Sequence, residues 1–535
     1  MWMGEAKKVT PRRVAPKGKI VNSPYVRMSG YSETGASTER RALKGFPPNS
    51  GSPNSDILEN LQTLRERSRM LLTSTSPATS SIRTMRTNIV GVGLIPKPSI
   101  DADALNISPE SAVKFERAVA REFSLWSENR YACDALALND FYEMQSLLLT
   151  AMLTSGDTFS ILTHVNRTRM EPYSLRLHLV EADRCRTPAQ NRGFTVEGKA
   201  DNGNRIFDGV EVNAAGKVVA YYIANDYPYE YTKNKTEWTR IPVRGAKTGL
   251  PNILHIMNAD RPDQYRGVPF LANVIEQLLQ LRRYTEAELN AALVQSFFTA
   301  FITTEADPDE FMETLPEDEQ AQGGISNNPA EYELGPGTVN FMRPGEGITS
   351  VQPTHPNTGF DTFMEAMCEQ VGASLEIPAD ILMKKFGQSY SASRAELMEA
   401  WKMFSMYRRW LINDFCRPVY EVWMTEAIAL GRLNAPGFFD DPIRHKAYLG
   451  CEWIGPAQGQ IDPQKEINAS LLAIANGLST HEAEATRWNG SQFSVNVAKL
   501  KNENKMLADA TPIQQEEYTV ENEYTLDLEE EEDDE

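Results

Sequence analysis

Residues 269–302 read PFLANVIEQLLQLRRYTEAELNAALVQSFFTAFI, and the reading of this stretch decides how the rest of the chain is organised. After Pro269 it holds neither Gly nor Pro, and Leu271, Val274, Ile275, Leu278, Leu281, Leu289, Ala292 and Val294 recur near a 3.6-residue period. The spacing predicts one helix, which at about 1.5 Å per residue would be ~50 Å long with a single apolar stripe. Such a helix has no obvious partner within its own hairpin. Its stripe therefore calls for other copies of the chain.

Working outward on the C-terminal side, residues 305–334 carry ten acids and no base and are broken by Pro308, Pro316, Gly323, Gly324 and Pro329, which reads as a solvated insertion. A short β-like stretch around Thr338–Met342 precedes a second helix near Gly359–Ala373, with Phe360, Phe363, Met364, Met367 and Val371 on one side. KKFGQSYSASRAE, residues 384–396, interrupts the pattern. Ser393 and Glu396 then read as a capping box for a long helix through Leu397, Trp401, Phe404, Trp410, Leu411 and Phe415, reaching Pro418 and resuming to Leu430. CEWIGPAQGQIDPQKE, residues 451–466, reads as a loop, with two short helices and an acidic tail after it.

On the N-terminal side, residues 1–52 mix Gly, Pro, Ser, Thr and basic residues without a lasting apolar period and read as a mobile arm. From Asp56, Ile57, Leu58, Leu61, Leu64, Met70 and Leu71 predict a helix, and TNIVGVGLIPKP (87–98) a short strand stopped by prolines. Ser108-Pro109-Glu110 is a helix opening for Ala112, Phe115, Val119, Phe123 and Trp126. A further helix is expected near Phe141–Leu153. From Thr158 to Ile256 the runs FSILTHV, LRLHLVEADRC, VEVNAAGKVVAYYIA and ILHIMNA predict a sheet region.

The 535 residues leave room for several domains, and no apolar run is long enough to span a membrane. Five scattered cysteines without a CxxC pair argue against a disulfide framework or zinc site, and the basic N-terminus lacks the apolar stretch of a secretory signal. Synthesis in a reducing cytoplasm is expected. The net charge of −19 is uneven: residues 1–50 carry ten Lys and Arg against three acids (+7), residues 516–535 carry twelve acids and no base (−12), and the rest holds −14. This balance speaks against a tight duplex-binding module but not against DNA sliding past an acidic surface.

Motifs for catalysis fail on inspection. Gly91-Val92-Gly93-Leu94-Ile95-Pro96 puts proline where a dinucleotide fingerprint needs its third glycine, and Gly387-Gln388-Ser389-Tyr390-Ser391 lacks the closing glycine of a nucleophile elbow. RGAKTGL (244–250) has Ala246 where a Walker loop needs glycine, and no two of the six histidines lie at metal-binding spacing. His164, His178 and His255 fall in β-like runs and read as packed or edge residues. Nothing nominates an enzyme, and no cofactor or metal is implied.

Taken in order, LRERSRMLLTSTSPATSSIRTMRTNIVGVGL, VEADRC, GKVVAYYI, ILHIMNADRPDQYRGVPFLANVIEQL, LEIPADILMKKFGQSYSASRAELMEAW and CEWIGPAQGQIDPQKE resemble the lambda-type tailed-bacteriophage portal proteins over about residues 55–500. The resemblance implies an α+β, mainly helical portal fold with wing, stem, clip, tunnel loop and crown, assembled as a ring that is expected to be a dodecamer. Matched by order, 1–52 is a basic arm, 53–267 the wing, 268–303 the first stem helix, 304–356 the clip and 357–375 the second stem helix. Residues 376–393 are then the tunnel-loop region, 394–455 the long helix and wing return, 456–505 the crown and 506–535 an acidic tail.

The same resemblance implies a head-tail connector at one capsid vertex of the virion, through which double-stranded DNA enters during packaging and leaves on ejection. Its implied partners are the terminase large subunit, neck and head-completion proteins, and major capsid and scaffold proteins, with no membrane. Lys384, Lys385, Gln388, Ser389, Tyr390, Ser391 and Arg394 are the expected channel residues, and Glu313, Glu317, Asp318 and Glu319 are expected to face the terminase. The alternatives are another phage neck or baseplate ring protein, or a nucleic-acid motor or nuclease, which the missing Walker loop and metal cluster disfavour.

Overall fold

The apolar period that begins at Ile57 becomes helix α1, Pro53–Ser74, with Leu58, Leu61, Arg65, Ser68 and Leu71 buried. Helix α2, Ser76–Ile89, follows after Thr75 with a proline in its first turn and turns Ala78, Ile82, Met85 and Ile89 inward. In this computed structural model the described residues are 35–37, 40–46, 50–188, 196–228, 236–296, 300–303, 339–342, 359–385, 390–458, 463–491 and 493–509. Residues 1–52 form a separate unit from 53–535, and within it Arg41–Leu43 make a single 3₁₀ turn.

The strand expected over 87–98 is displaced: Thr87–Ile89 complete α2, and strand β1 is Ile95–Pro98, built on the prolines themselves. It pairs antiparallel with Cys451–Ile454, so the start of CEWIG is a strand and not a loop. A two-stranded ribbon leaves one edge of β1 unpaired, and that edge tolerates prolines that cannot donate. Helix α3 is Ala102–Leu105 and α4 is Pro109–Ser127, where the Ser108 side chain accepts from the Ser111 N–H at 3.3 Å as the sequence predicts. After α5, Arg130–Cys133, helix α6 runs Phe141–Ser155 behind a reciprocal Asp140/Glu143 capping box.

The β-rich region divides into two sheets. Strands β2 (Asp157–His164), β3 (Leu175–Glu181) and β9 (Ile253–Met257) form an antiparallel sheet in the order β3-β2-β9. Between them in sequence, β4 (Glu197–Lys199), β5 (Arg205–Phe207), β6 (Val210–Val212), β7 (Val218–Ala224) and β8 (Trp238–Pro242) form an antiparallel meander. His255 is packed as expected, its ring stacked on Phe159 at 4.4 Å. One apolar core centres on Phe123, Trp126, Phe141, Phe415 and Trp423; another joins Leu58, Leu61, Phe159, Val180, Phe207 and Tyr221. Helix α1 feeds both, through Leu71 and through Leu58 and Leu61.

Where β2 begins, charge is buried. Asp157 is fully enclosed and accepts from Arg65 Nη2 at 3.0 Å, Arg266 Nε at 2.6 Å, His255 Nε2 at 3.2 Å and the Gly267 N–H at 3.0 Å. Arg266, also fully buried, donates in addition to the carbonyls of Cys185 at 2.8 Å and Ala182 at 2.9 Å and to the Asp208 carboxylate at 2.6 Å. Gly156 and Gly267 touch so closely that a Cβ on Gly156 would lie 2.3 Å from the Gly267 carbonyl oxygen. Only glycine permits that approach. The Phe270 N–H then bonds the Leu153 carbonyl at 2.9 Å, so the chain leaves this cluster along a fixed path.

That path leads into a 3₁₀ turn, Ala272–Val274, and helix α7, Ile275–Ser296. The single helix expected over 269–302 is therefore cut at both ends, and its tail becomes strand β10, Ala300–Thr303, paired in parallel with β11, Val339–Met342. The β-branched and aromatic run at the end of the stretch suits a strand once a partner segment is present. Leu271, Val274, Leu278 and Leu281 are buried in the subunit, whereas Leu289 and Leu293 are exposed. The helix also has a hairpin partner after all: Tyr284 stacks on Phe360 and meets Phe363 at a tilt, both on helix α8, Phe360–Leu375.

Helix α9 is Ala379–Met383, and helix α10, Tyr390–Leu411, starts before the expected capping box, leaving Ser393 and Glu396 inside it. A π-helical turn, Ile412–Cys416, passes into α11, Arg417–Ala429. Pro418 has no N–H to give and would clash with the carbonyl four residues back, and the wider turn accommodates both. After α12 (Pro442–Tyr448) and β12 (Cys451–Ile454) come three helices and not two: α13 (Pro463–Ala475), α14 (His481–Asn489) and α15 (Phe493–Asp509). The last runs past residue 505, the boundary expected from order alone. All five cysteines are free thiols. No helix among the described residues is long and apolar enough to cross a membrane.

Burial opposes the charge on Asp157, but Arg266 and Arg65 outweigh it and hold the carboxyl well below the usual range. Its contribution to stability is thus complete above the unfolded carboxyl value of about 3.9 and drains away as pH falls toward the depressed folded value. Asp157→Asn, which strands two buried arginines, is expected to cost about 3–5 kcal/mol. Urea unfolding across a pH series checks this: the variant should show a lower midpoint at neutral pH and a flatter acid limb than the wild type.

Candidate nucleic-acid interface

The described residues among those expected to meet DNA lie where α8, α9 and α10 converge on α2. Helix α8 ends with Glu376 in the left-handed region (φ 56°), and the chain folds back over Gly372, where a Cβ would come within 2.4 Å of the Ile377 carbonyl oxygen. Ile377, Ile381 and Leu382 are buried by this turn, which seats α9 against α2. Lys384 closes α9, again in the left-handed region (φ 59°), and the Lys385 N–H bonds the Asp380 carbonyl at 3.1 Å.

Both lysine side chains are exposed, and each is tethered. Lys384 Nζ donates to Thr84 Oγ1 on α2 at 3.2 Å. Lys385 Nζ pairs with Glu365 of α8, and that hydrogen bond raises the ammonium above its ordinary pKa. An ammonium carries three donors, so one intramolecular bond leaves others for a passing phosphate. The backbone of Tyr390 and Ser391 opens α10, and Arg394 sits half-buried in its second turn with a partner of its own. Gln388 and Ser389 lie outside the described residues, as do Glu313, Glu317, Asp318 and Glu319.

Arg408 fixes the far half of α10 to the same support. Its guanidinium donates to the carbonyls of Ile89 at 3.0 Å and Asn88 at 2.7 Å, at the end of α2, and to that of Pro456 at 2.9 Å. It also lies over the Trp401 ring at 5.2 Å, and burial lowers its pKa. A cation on the last carbonyls of a helix meets their partial negative charge. Sequence reading missed Thr84, Glu365, Gly372 and Arg408, since Lys384 and Thr84 are 300 positions apart and no local pattern joins them. Among the described residues no cluster of His, Cys, Asp or Glu could hold a metal ion.

Residues 39–408 match the family model described as phage portal protein, lambda family. Over 494 residues the chain is 25% identical to the portal protein of Escherichia phage N15, covering 89% of this chain and 90% of that protein. It is 24% identical to portal protein B of Escherichia phage lambda, covering 89% of each. A probable portal protein of Halomonas phage phiHAP-1 is 23% identical over 429 residues, covering 80% of this chain and 77% of that protein.

Arg408→Met keeps the stem of the side chain but leaves three carbonyls without their donor, a loss of about 3 kcal/mol. Arg408→Lys should recover only part of this, because one ammonium lacks the planar fork. Denaturant unfolding measures both, and an unchanged midpoint in Arg408→Met would mean that α2 and α10 are held together by apolar packing alone.

Proposed function

Because the chain belongs to the lambda family of phage portal proteins, we propose that its copies close into a ring, expected to be dodecameric, around a channel for double-stranded DNA. It is a portal protein of tailed phages, a structural channel protein and not an enzyme. The observation that carries the reading is the alignment with the N15 portal protein over nearly the whole of both chains. In the virion the ring would join head to tail, admit DNA under a terminase motor and release it on ejection. Terminase large subunit, neck and head-completion proteins, and capsid and scaffold proteins are the proposed partners.

The subunit supports assembly physically. The outer half of α7 exposes Leu289 and Leu293, and α13 and α15 expose Ile467, Leu471, Leu472, Val497, Leu500 and Leu507. Apolar side chains spread along three helices are costly in water, and identical neighbours around an axis would cover them. The proposed parts follow the expected order: wing through residue 267, stem in α7 and α8, clip at 304–356, tunnel loop at 376–393 and crown from 456. For the tunnel region the rationale is weak, repeated contact. Lys384 and Lys385, each with donors to spare, would touch phosphates without trapping them, since tight binding needs many more neutralised phosphates.

Negative-stain imaging of the purified protein is the primary test, and rings with an open central hole are expected. A soluble monomer at high concentration, or a closed assembly without a hole, would contradict the reading. Lys384→Glu with Lys385→Glu should leave rings intact yet change DNA retention in assembled heads. Unchanged packaging and retention would remove these lysines from the channel.

A further inference from the structure

The chain carries no Asp or Glu between Glu66 and Asp101, although its net charge is −19. The cations in that interval are Arg67, Arg69, Arg83, Arg86 and Lys97. Two of them are engaged in ion pairs, Arg69 with Asp183 and Lys97 with Glu482. Arg83 and Arg86, on α2, are exposed and have no carboxylate partner among the described residues.

We propose that the outward face of α2 is a phosphate-contacting surface for duplex DNA, with Arg83 and Arg86 as its cations. The inference rests on the channel reading and adds residues to it. Helical spacing separates the two sides of α2: Ala78, Ile82, Met85 and Ile89 enter the core, while Ser76, Arg83, Arg86 and Thr87 are exposed. Guanidinium and hydroxyl groups are the usual donors to phosphate oxygens.

Two observations favour DNA over a protein partner. None of the large hydrophobic residues of α2 is exposed, so the face lacks the apolar anchor that protein docking sites use. The same helix also receives the Lys384 segment, because Lys384 bonds Thr84, a buried residue of α2 that follows Arg83 in sequence. Two arginines per copy without a carboxylate partner among the described residues add to the tethered lysines while keeping each contact weak. The sum around a ring would steady the duplex, and salt would loosen it.

The test uses the full-length ring and a short fluorescent duplex, with binding read by anisotropy over a salt series. Arg83→Gln with Arg86→Gln should weaken binding several-fold at low salt. The slope of log affinity against log salt should fall by about 0.9 for each phosphate that is no longer neutralised. Arg83→Lys with Arg86→Lys should retain most of the binding, and Lys114→Gln with Arg117→Gln, exposed on α4, should change nothing. A glutamine double variant that forms rings and binds with wild-type affinity and slope overturns the inference. So does a wild-type ring that does not bind the duplex, or a variant that no longer forms rings, which would make this face a contact between copies. A wild-type protein that forms no ring defeats the channel reading itself, and the inference falls with it.

Discussion

The carboxylate of Asp157 is the point on which the subunit turns. It sits without solvent at the start of β2 and is shared by Arg65 from α1 and Arg266 from the segment that leads into α7. Burying several charges is costly unless each donor and acceptor is met, and here Arg266 also finds the Asp208 carboxylate and the backbone carbonyls of Ala182, Cys185 and Asp208. The consequence is geometric. Glycines at 156 and 267 let the two backbones touch, and the Gly267 N–H is held by the same carboxylate, so the place where α7 departs is set by the interior of the sheet region. In a ring, small errors in that departure would be repeated by every copy.

Helix α2 plays a comparable part for the segment that follows α8. It receives α9 on its inner side, Lys384 at Thr84 and Arg408 at its last carbonyls. The described ends of that segment are therefore rooted on one helix. Any DNA contact made by residues between them would be made from a fixed base, which is how a rigid scaffold commonly presents a short variable segment. A role beside DNA would also account for a helix without acids at this point of an acidic protein.

Local rules were legible in the sequence wherever the deciding groups are neighbours. The start at Ser108 and Pro109, and the helix that begins at Phe141, form as their local residues dictate, because a helix start is settled within four residues. The resemblance pointed to the family, which no single local motif could do. Pairings across long separations were hidden: the prolines of β1 are acceptable only because Cys451–Ile454 lies beside them, and the end of the α7 stretch becomes a strand only because Val339–Met342 joins it. Ser393 and Glu396 have the residues of a capping box but not its position, since α10 is already under way at Tyr390. Of the candidate site, the lysines were legible and their partners were not. Among so many carboxylates, nothing in spacing distinguishes Asp157 or Glu365 from the rest.

The central claim is that the buried ion cluster and the departure of α7 form one cooperative unit. Native-state hydrogen exchange on wild type and Asp157→Asn tests it most directly. The account predicts that protection falls together in β2, in residues 182–185 and 264–267, and in the first turns of α7, while α13 and α14 keep theirs. Loss confined to β2, with the start of α7 as protected as before, would contradict it.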